Sequence, residues 1–486
     1  MMGAMSSAPS VSSSITVRME VQARPTAVSE LTTAIEQVGG IVTALDVRTS
    51  GHERIGVDVT CATRGEDHAN QIVSALRELH GVTVERVSDR TFLLHLGGKL
   101  SVESKVPLRN RDDLSMAYTP GVARVCEAIA ARPEDARRLT IKRNTIAVVT
   151  DGTAVLGLGD IGPLASLPVM EGKAVLFKRF ADIDAFPIAL DTTDVDEIVA
   201  SVVAIAPVFA GINLEDISAP RCFEIEARLR EALDIPVFHD DQHGTAIVAL
   251  AALMNALKVV RKDMGSVRIV MSGAGAAGTA VLKLLLAAGA RDVVVADIDG
   301  VVHRDRPGLA PSLTWTAEHT NPRGVTGTLR EALVDADVFI GLSAPDLLTG
   351  RDISTMANDA IVFAMANPRP EVDPDEAAQY AAVVGTGRSD FANQINNVLA
   401  FPGVFRGLID SQSTRVTDTL LLAAARALAS VVTDDELNPT YIVPSVFHAD
   451  VTTTVAAAVA EASRHDPVQT GELRTISAEL AGSHEI

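Results

Sequence analysis

The stretch that most restricts the fold lies past the middle of the chain. VRIVM (Val267 to Met271) has the pattern of a buried strand, SGAGAAG turns the chain, TAVLKLLLAAG reads as a helix stopped at Gly289, and DVVVAD is the next strand. Gly273, Gly275 and Gly278 stand in G-x-G-x-x-G spacing, and Asp297 ends the second strand nineteen residues after Gly278. Such glycines alone also occur in merely structural turns. The full series of strand, turn, helix, strand and acid is the dinucleotide fingerprint: a tight turn, close backbone approach, a pyrophosphate on the helix N-terminus and a carboxylate for the ribose. Gly273, Gly275, Ala276, Ala277, Gly278 and Asp297 are therefore the candidate cofactor contacts. Asp297 and Asp299 disfavour a 2′-phosphate and point to NAD over NADP. Arg304, in the HRDR run from His303 to Arg306, reverses that preference if its side chain folds back.

The rest of the sequence fits an α/β protein of several domains. With 486 residues, and about 150 per domain as a loose guide, roughly three domains are expected. Strand-like runs continue at DVFIGLS, AIVFAMANP and AVVGTG, separated by loops rich in Gly, Pro, Asn and Ser. TLLLAAARALASVV and VTTTVAAAVAEAS read as Ala-rich helices that pack back on the body. From about Leu100 to Asp234 the chain is mixed α/β with Gly-rich loops, notably TDGTAVLGLGDIGP. At the other end, Ile15, Val17, Met19 and Val21 alternate with polar residues as a half-buried strand, after a disordered start over residues 1–14. A helix through Val28, Leu31, Ile35 and Val38 stops at Gly39-Gly40; IVTALDV and RIGVDVTCA are two strands, Ala69 to Leu79 a second helix and VTVERVS a fourth strand. This βαββαβ order is the ferredoxin-like pattern.

Composition narrows the partners. Lys plus Arg number 42 against 62 Asp plus Glu, a formal charge of −20, so the molecule repels phosphate backbones and anionic lipid, and no nucleic acid partner is expected. Cys61, Cys126 and Cys222 are three, odd in number and widely spaced, which supports neither a disulfide framework nor a Cys-based metal site. The N-terminus lacks the basic and apolar regions of a signal peptide. The longest apolar run, Ala246 to Leu257, falls short of the ~20 residues of a membrane span, so a soluble cytoplasmic protein with no membrane association is expected.

Two acid pairs stand in apolar surroundings: Glu215-Asp216 in GINLEDISAP and Asp240-Asp241 in PVFHDDQHGTA. Buried carboxylates need compensation, and a hard divalent cation with oxygen ligands supplies it; caps and solvated turns are the plainer explanation. His239 and His243 beside them read as hydrogen-bonding loop residues rather than zinc ligands. Lys173, in VMEGKAVLFK, is a candidate base if burial lowers its pKa toward neutrality, and otherwise a snorkelling surface lysine. Tyr118, in SMAYTPGVA, is one of three tyrosines and by itself reads as a core or interface residue.

Taken in order, YTPGVA, TDGTAVLGLGDIG, PVMEGKAVLFK, GINLEDI, VFHDDQHGTA, SGAGAAG, AMANP and QINNVLAFPGV resemble a malic enzyme of the bacterial type, from about Ser101 to Thr454, and the N-terminal segment resembles an ACT regulatory domain. The resemblance implies oxidation of L-malate with NAD(P), decarboxylation of the bound oxaloacetate, and protonation of enolpyruvate to pyruvate. It implies that Glu215, Asp216 and Asp241 ligate Mg²⁺ or Mn²⁺, that Asp240 holds Lys173, that Lys173 takes the C2 hydroxyl proton, and that Tyr118 delivers a proton to the enol carbon. Asn367 and Asn397 match amides that hold the substrate carboxylates, with Asn396 their neighbour; Asn367 also borders the cofactor. One departure stands out: larger malic enzymes carry a carboxylate-gripping Arg in the TAVLGLG loop, and here Ala154 and Val155 occupy it.

The expected organisation is thus a disordered start (1–14), an ACT-like ferredoxin-like domain (15–97), an α/β substrate and metal domain (98–240), a Rossmann-like dinucleotide domain with C-terminal helices (241–465), and a tail (466–486). A small-molecule effector at the ACT-like domain and a homodimer or higher homo-oligomer are the expected partners. The competing expectations are a metal-independent two-domain dehydrogenase of the amino-acid type, separated by chelator inhibition, and a non-catalytic ACT-containing NAD sensor, separated by CO₂ release from malate.

Overall fold

The alternation near the N-terminus becomes strand β1 (Ser10–Gln22) in the computed structural model, which describes residues 9–466. Ile15, Val17, Met19 and Val21 are buried on one face. Then follow α1 (Ala27–Gln37), β2 (Ile41–Ser50), β3 (Arg54–Thr63), α2 (Glu66–Glu78), β4 (Val82–Asp89) and the short α3 (Arg90–His95). The sheet order β2-β3-β1-β4, antiparallel throughout, is the ferredoxin-like arrangement expected. Leu31, Ile35, Ile72 and Leu76 close its apolar face, while the other face is laced by ion pairs from Asp58 to Arg18 and Arg48, both at 2.9 Å. The strand begins earlier than the pattern suggested: Ser14 pairs with Ala62 and is buried, and Thr63 donates to the Ser13 carbonyl. Residues 10–14 are therefore strand rather than disordered start; residues 1–8, and 467–486 of the expected tail, lie outside the described residues.

The chain divides after Ser101 into two compact units. The second opens with α4 (Arg111–Ala117), α5 (Val122–Ala131) and α6 (Ala136–Leu139). Next comes β5 (Thr145–Thr150), whose TIAVVT is buried at every position, as suits a parallel strand covered on both faces. With β6 (Asp184–Ala189), β7 (Gly211–Leu214) and β8 (Val237–His239) it forms a parallel sheet of order β6-β5-β7-β8, crossed by α7 (Gly162–Ala181), α8 (Val195–Ile205) and α9 (Arg221–Ala232). A π-helical turn, Asp240–Gly244, leads into α10 (Thr245–Val260).

Turn and helix together run 21 residues, Asp240–Val260, long and apolar enough by composition to cross a membrane and longer than the apolar run legible in the sequence. It is a core helix: 67% of its most apolar window is buried inside this fold, it is apolar on all sides, and Asn255 within it is satisfied by the carbonyls of Ala429 and Ile442.

The fingerprint follows as β9 (Arg268–Ser272), α11 (Ala276–Ala287) and β10 (Asp292–Asp297). A two-residue strand, β11 (Gly300–Val301), turns back on β10, and α12 (Pro311–His319), α13 (Leu329–Leu333), β12 (Val338–Gly341), α14 (Gly350–Ile353), β13 (Ile361–Ala364), α15 (Pro374–Ala377) and β14 (Val383–Thr386) complete the sheet. Its order is β11-β10-β9-β12-β13-β14, parallel except for β11, so the order reverses between β9 and β12, where open α/β sheets bind ligands. Helices α16 (Phe401–Asp410), α17 (Asp418–Ser430) and α18 (Asp450–His465) end the unit, with α17 against α10 and α18 against α16.

The expected division at 240/241 does not separate two cores. Phe401 and Phe405 on α16 pack on Phe177 of α7 at ring-centre distances of 4.6 and 5.2 Å, so a C-terminal helix closes the first sheet. One apolar cluster runs from α7 through α10 to the Rossmann-like sheet.

Candidate active site

Lys173 projects from α7 into the ends of β7 and β8. Its Nζ lies 2.5 Å from Asp240 Oδ2 and 2.8 Å from Glu215 Oε1, over the face of Phe401 at 4.3 Å. Asn397 donates to the same Asp240 oxygen at 2.5 Å, and Asn213 donates to Glu215 at 2.8 Å. The π turn is what lets β8 present both acids, and Gly244 is obligatory in it because any Cβ there would strike Asp240 Oδ1. Asp216 sits at φ 54°, in the left-handed region, and its backbone N–H donates to Asp241 Oδ2 at 2.9 Å. Glu215, Asp216 and Asp241 each place an oxygen within 4.8 Å of the others. Asp216 Oδ2 is buried with no hydrogen-bond partner, as fits a group that faces a cation.

Electrostatics agree with that fit. Burial, together with Asp241 and Glu215, pushes the Asp216 carboxyl up to about 9; burial, only partly offset by Lys173, pushes Glu215 up to about 7 and Asp240 to about 6. Lys173 differs from expectation. Burial does pull its pKa down, but Asp240 and Glu215 outweigh it and hold the ammonium above its ordinary value. Beneath the turn, burial would raise Glu226, yet His243 and Arg230, each at 2.7 Å, bring it down to about 2. His239 is fully buried, and burial pushes it down to about 4, so it is a neutral neighbour 3.6 Å from Asp241.

The second part of the site is a cavity of about 900 Å³ at the β9/β12 switch point, lined among others by Gly273, Gly275, Asp297, Ile298 and Ser343. Gly273 has φ 103° with Leu342 pressed against it, and a Cβ at Gly278 would run into the Gly273 carbonyl. Gly275, by contrast, faces open space, which leaves its backbone and the first turn of α11, Ala276 and Ala277, free for an anion. The π turn with its acids packs on α11, the helix whose N-terminus follows the cavity-lining Gly273–Gly275. Asp297 is already engaged: Arg306 meets both its oxygens at 2.8 and 2.7 Å. Arg304, the expected candidate for folding back, donates instead to the Glu318 carbonyl of α12. Arg306 takes that position because the β11 turn brings it level with the end of β10.

The chain matches the family description "Malic enzyme, N-terminal domain" over residues 97–230 and "Malic enzyme, NAD binding domain" over residues 242–464. The chain belongs to the malic enzyme family. An NAD-dependent malic enzyme of Geobacillus stearothermophilus is 55% identical over 449 residues, 92% of this chain and 94% of the relative. A bifunctional malic/malolactic enzyme of Bacillus subtilis is 54% identical over 368 residues, 75% of this chain and 90% of the relative. The crystal structure of an NAD-dependent malic enzyme from Thermotoga maritima, 45% identical, superposes with a TM-score of 0.74, covering 77% of this chain and 99% of that one.

Of the residues that the malic enzyme resemblance singles out, the structure brings together Lys173, Glu215, Asp216, Asp240, Asp241 and Asn397. Asn367 is exposed just past the end of β13, where its backbone carbonyl abuts Gly157 of the TAVLGLG loop. Asn396 uses its Oδ1 to cap the turn at Asn397–Leu399. Tyr118 closes α4, is 67% exposed, and its hydroxyl has no hydrogen-bond partner among the described residues. Asn213, Phe401 and Glu226 were not legible as site residues, and Arg306 was legible only as one of the two arginines of the HRDR run. For Asn213 a signal existed, since its two-residue offset along β7 puts it on the same face as Glu215.

Proposed function

We propose that this chain oxidises L-malate to pyruvate and CO₂ with reduction of NAD, using Mg²⁺ or Mn²⁺. The observation that carries the reading is one buried lysine clamped by Asp240 and Glu215, with Glu215 also a member of a three-carboxylate cluster, in a unit that holds a dinucleotide cavity. A metal-independent dehydrogenase has no use for Asp216, and a sensor without chemistry has none for a buried Lys173. Glu215, Asp216 and Asp241 would hold the cation, which would supply Lewis-acid polarisation of the hydroxy-acid oxygen and cancel the carboxylate field on Lys173. NAD in the cavity would accept the C2 hydride. Within that frame Lys173 takes the C2 hydroxyl proton, and Asp240 with Asn397 fixes its position. Tyr118 supplies the proton to the enol carbon. Asn367, Asn397 and backbone amides hold the malate carboxylates where no arginine stands in the 154–159 loop.

The ferredoxin-like unit is, in this reading, an ACT-like effector module, and removing residues 1–97 leaves catalysis measurable while abolishing effector response. NAD is preferred because Asp297 can accept from the ribose hydroxyls once Arg306 yields. The test is a steady-state assay with L-malate and Mn²⁺, in parallel with NAD and NADP, scoring pyruvate and CO₂. Dehydrogenation that persists in EDTA, or reduction of NAD without CO₂, refutes the proposal.

A further inference from the structure

Glu371 is fully buried, yet no lysine, arginine or histidine pairs with it among the described residues. Its carboxylate faces two backbone donors instead: Oε1 accepts from the Ser343 N–H at 2.9 Å and Oε2 from the Ala366 N–H at 3.1 Å. Burial lifts the carboxyl above its ordinary value in spite of these donors, so the arrangement is a costly one for the fold to keep. The neighbouring strand leaves room for it. Gly341, the last residue of β12, has no side chain, and a Cβ there would lie 2.3 Å from the Glu371 carboxyl carbon. The main chain adds to the clasp, since the Glu371 carbonyl accepts from the Leu348 N–H at 2.9 Å.

The two side-chain contacts go to different loops, and both loops border the site. Leu342, Ser343, Ala344 and Leu347, after β12, line the dinucleotide cavity, and Ser343 Oγ meets Ser272 Oγ of β9 at 2.6 Å. Ala366, after β13, directly precedes Asn367, the amide proposed above to hold a malate carboxylate. We infer that Glu371 is a positioning residue, whose carboxylate clamps the cofactor loop after β12 to the substrate loop after β13 so that both stand ordered before either ligand arrives. The inference rests on the roles proposed above for the cavity and for Asn367. A carboxylate suits this task because it offers one acceptor to each loop, whereas the amide of Gln offers one oxygen and turns an NH₂ toward the other donor. Loops ordered in advance bind without the entropic cost of being ordered by the ligand, so the effect belongs in affinity rather than in the chemical step.

The test compares the wild type with Glu371→Gln. NAD affinity by fluorescence titration should weaken about tenfold and KM for malate should rise by a similar factor, with kcat held within about twofold. A variant that melts lower but binds NAD and malate as the wild type does would make Glu371 a structural acid only and overturn the inference. So would a fall in kcat with both affinities unchanged. Glu371→Asp keeps the charge and is one methylene shorter, which frees space beside Gly341. Gly341→Ala should therefore cost about tenfold in NAD affinity in the wild type and little in the Glu371→Asp background; equal costs in both would count against the clamp. If neither acid variant folds, hydrogen exchange on the wild-type enzyme decides. Without NAD the amides of Ser343 and Ala366 should already be protected, and fast exchange that slows only when NAD is added would sink the idea of loops ordered in advance. Absence of pyruvate from wild-type enzyme would count against the malate reading alone, since NAD titration and hydrogen exchange still report on Glu371.

Discussion

Asp216→Asn should make the metal-free protein more stable while removing its response to metal. Asn is nearly isosteric with Asp and tolerates the left-handed φ of 54° at this position, so the backbone is undisturbed. Burial, Asp241 and Glu215 lift the Asp216 carboxyl to about 9 from an ordinary 3.8. With the folded value above the unfolded one, the folded state binds the extra proton, so the penalty is absent below about pH 4 and grows by about 1.4 kcal/mol per pH unit up to about pH 9. At pH 7 it is on the order of 4 kcal/mol for the wild type in chelator, and Asn, with nothing to titrate, is free of it. Melting curves in EDTA should therefore place the variant above the wild type by several degrees at pH 7, with the gap wider at pH 8 and narrower at pH 5. Mn²⁺ inverts the order: at about a hundred times its Kd it stabilises the wild type by about 2.7 kcal/mol and the variant by far less. A variant that melts below wild type in EDTA, or that gains equally from Mn²⁺, would refute Asp216 as a ligand held against its neighbours' charge.

Lys173→Ala should lose nearly all turnover while NAD affinity, measured by fluorescence titration, stays within about twofold, because the fingerprint loop is untouched. Arg306→Ala should lower the ratio of kcat/KM with NADP to that with NAD by about tenfold, since an unpaired Asp297 then repels the 2′-phosphate; an unchanged ratio would exclude Arg306 from cofactor choice. Glu226→Gln should cost about 3 kcal/mol at pH 7 in urea unfolding. Because the folded value lies below the unfolded one, that contribution is present above about pH 4.5 and fades as pH falls toward about 2, so the two proteins should converge in acid.

The sheet and its crevice were legible because each strand, glycine and acid of the fingerprint answers a local requirement, and the βαββαβ unit because its periodicities switch cleanly from two to 3.6. The carboxylate cluster was legible as residue types, though neither that Lys173 is charged nor that Phe401 covers it, because the first depends on how α7 meets β7 and β8 and the second on α7 meeting α16 more than two hundred residues later. Nor could the sequence choose between Arg304 and Arg306. Two residues apart in a loop, they differ only in how β11 turns. The run over Ala246–Leu257 was misjudged in length for a related reason: Asp240 and Asp241 look like a polar stop, yet the π turn carries them as the first turn of the same helix.

The clasp between Arg306 and Asp297 has an evolutionary reading. Under the nucleotide preference proposed above, it would store that choice in two side chains of opposite charge instead of in the course of the backbone. Loss of the acid leaves a guanidinium ready for a phosphate, and loss of the arginine leaves a carboxylate ready for a ribose. Neither residue is a member of the carboxylate cluster. A lineage built this way would need only a single substitution at either side chain to change which nucleotide the pocket favours.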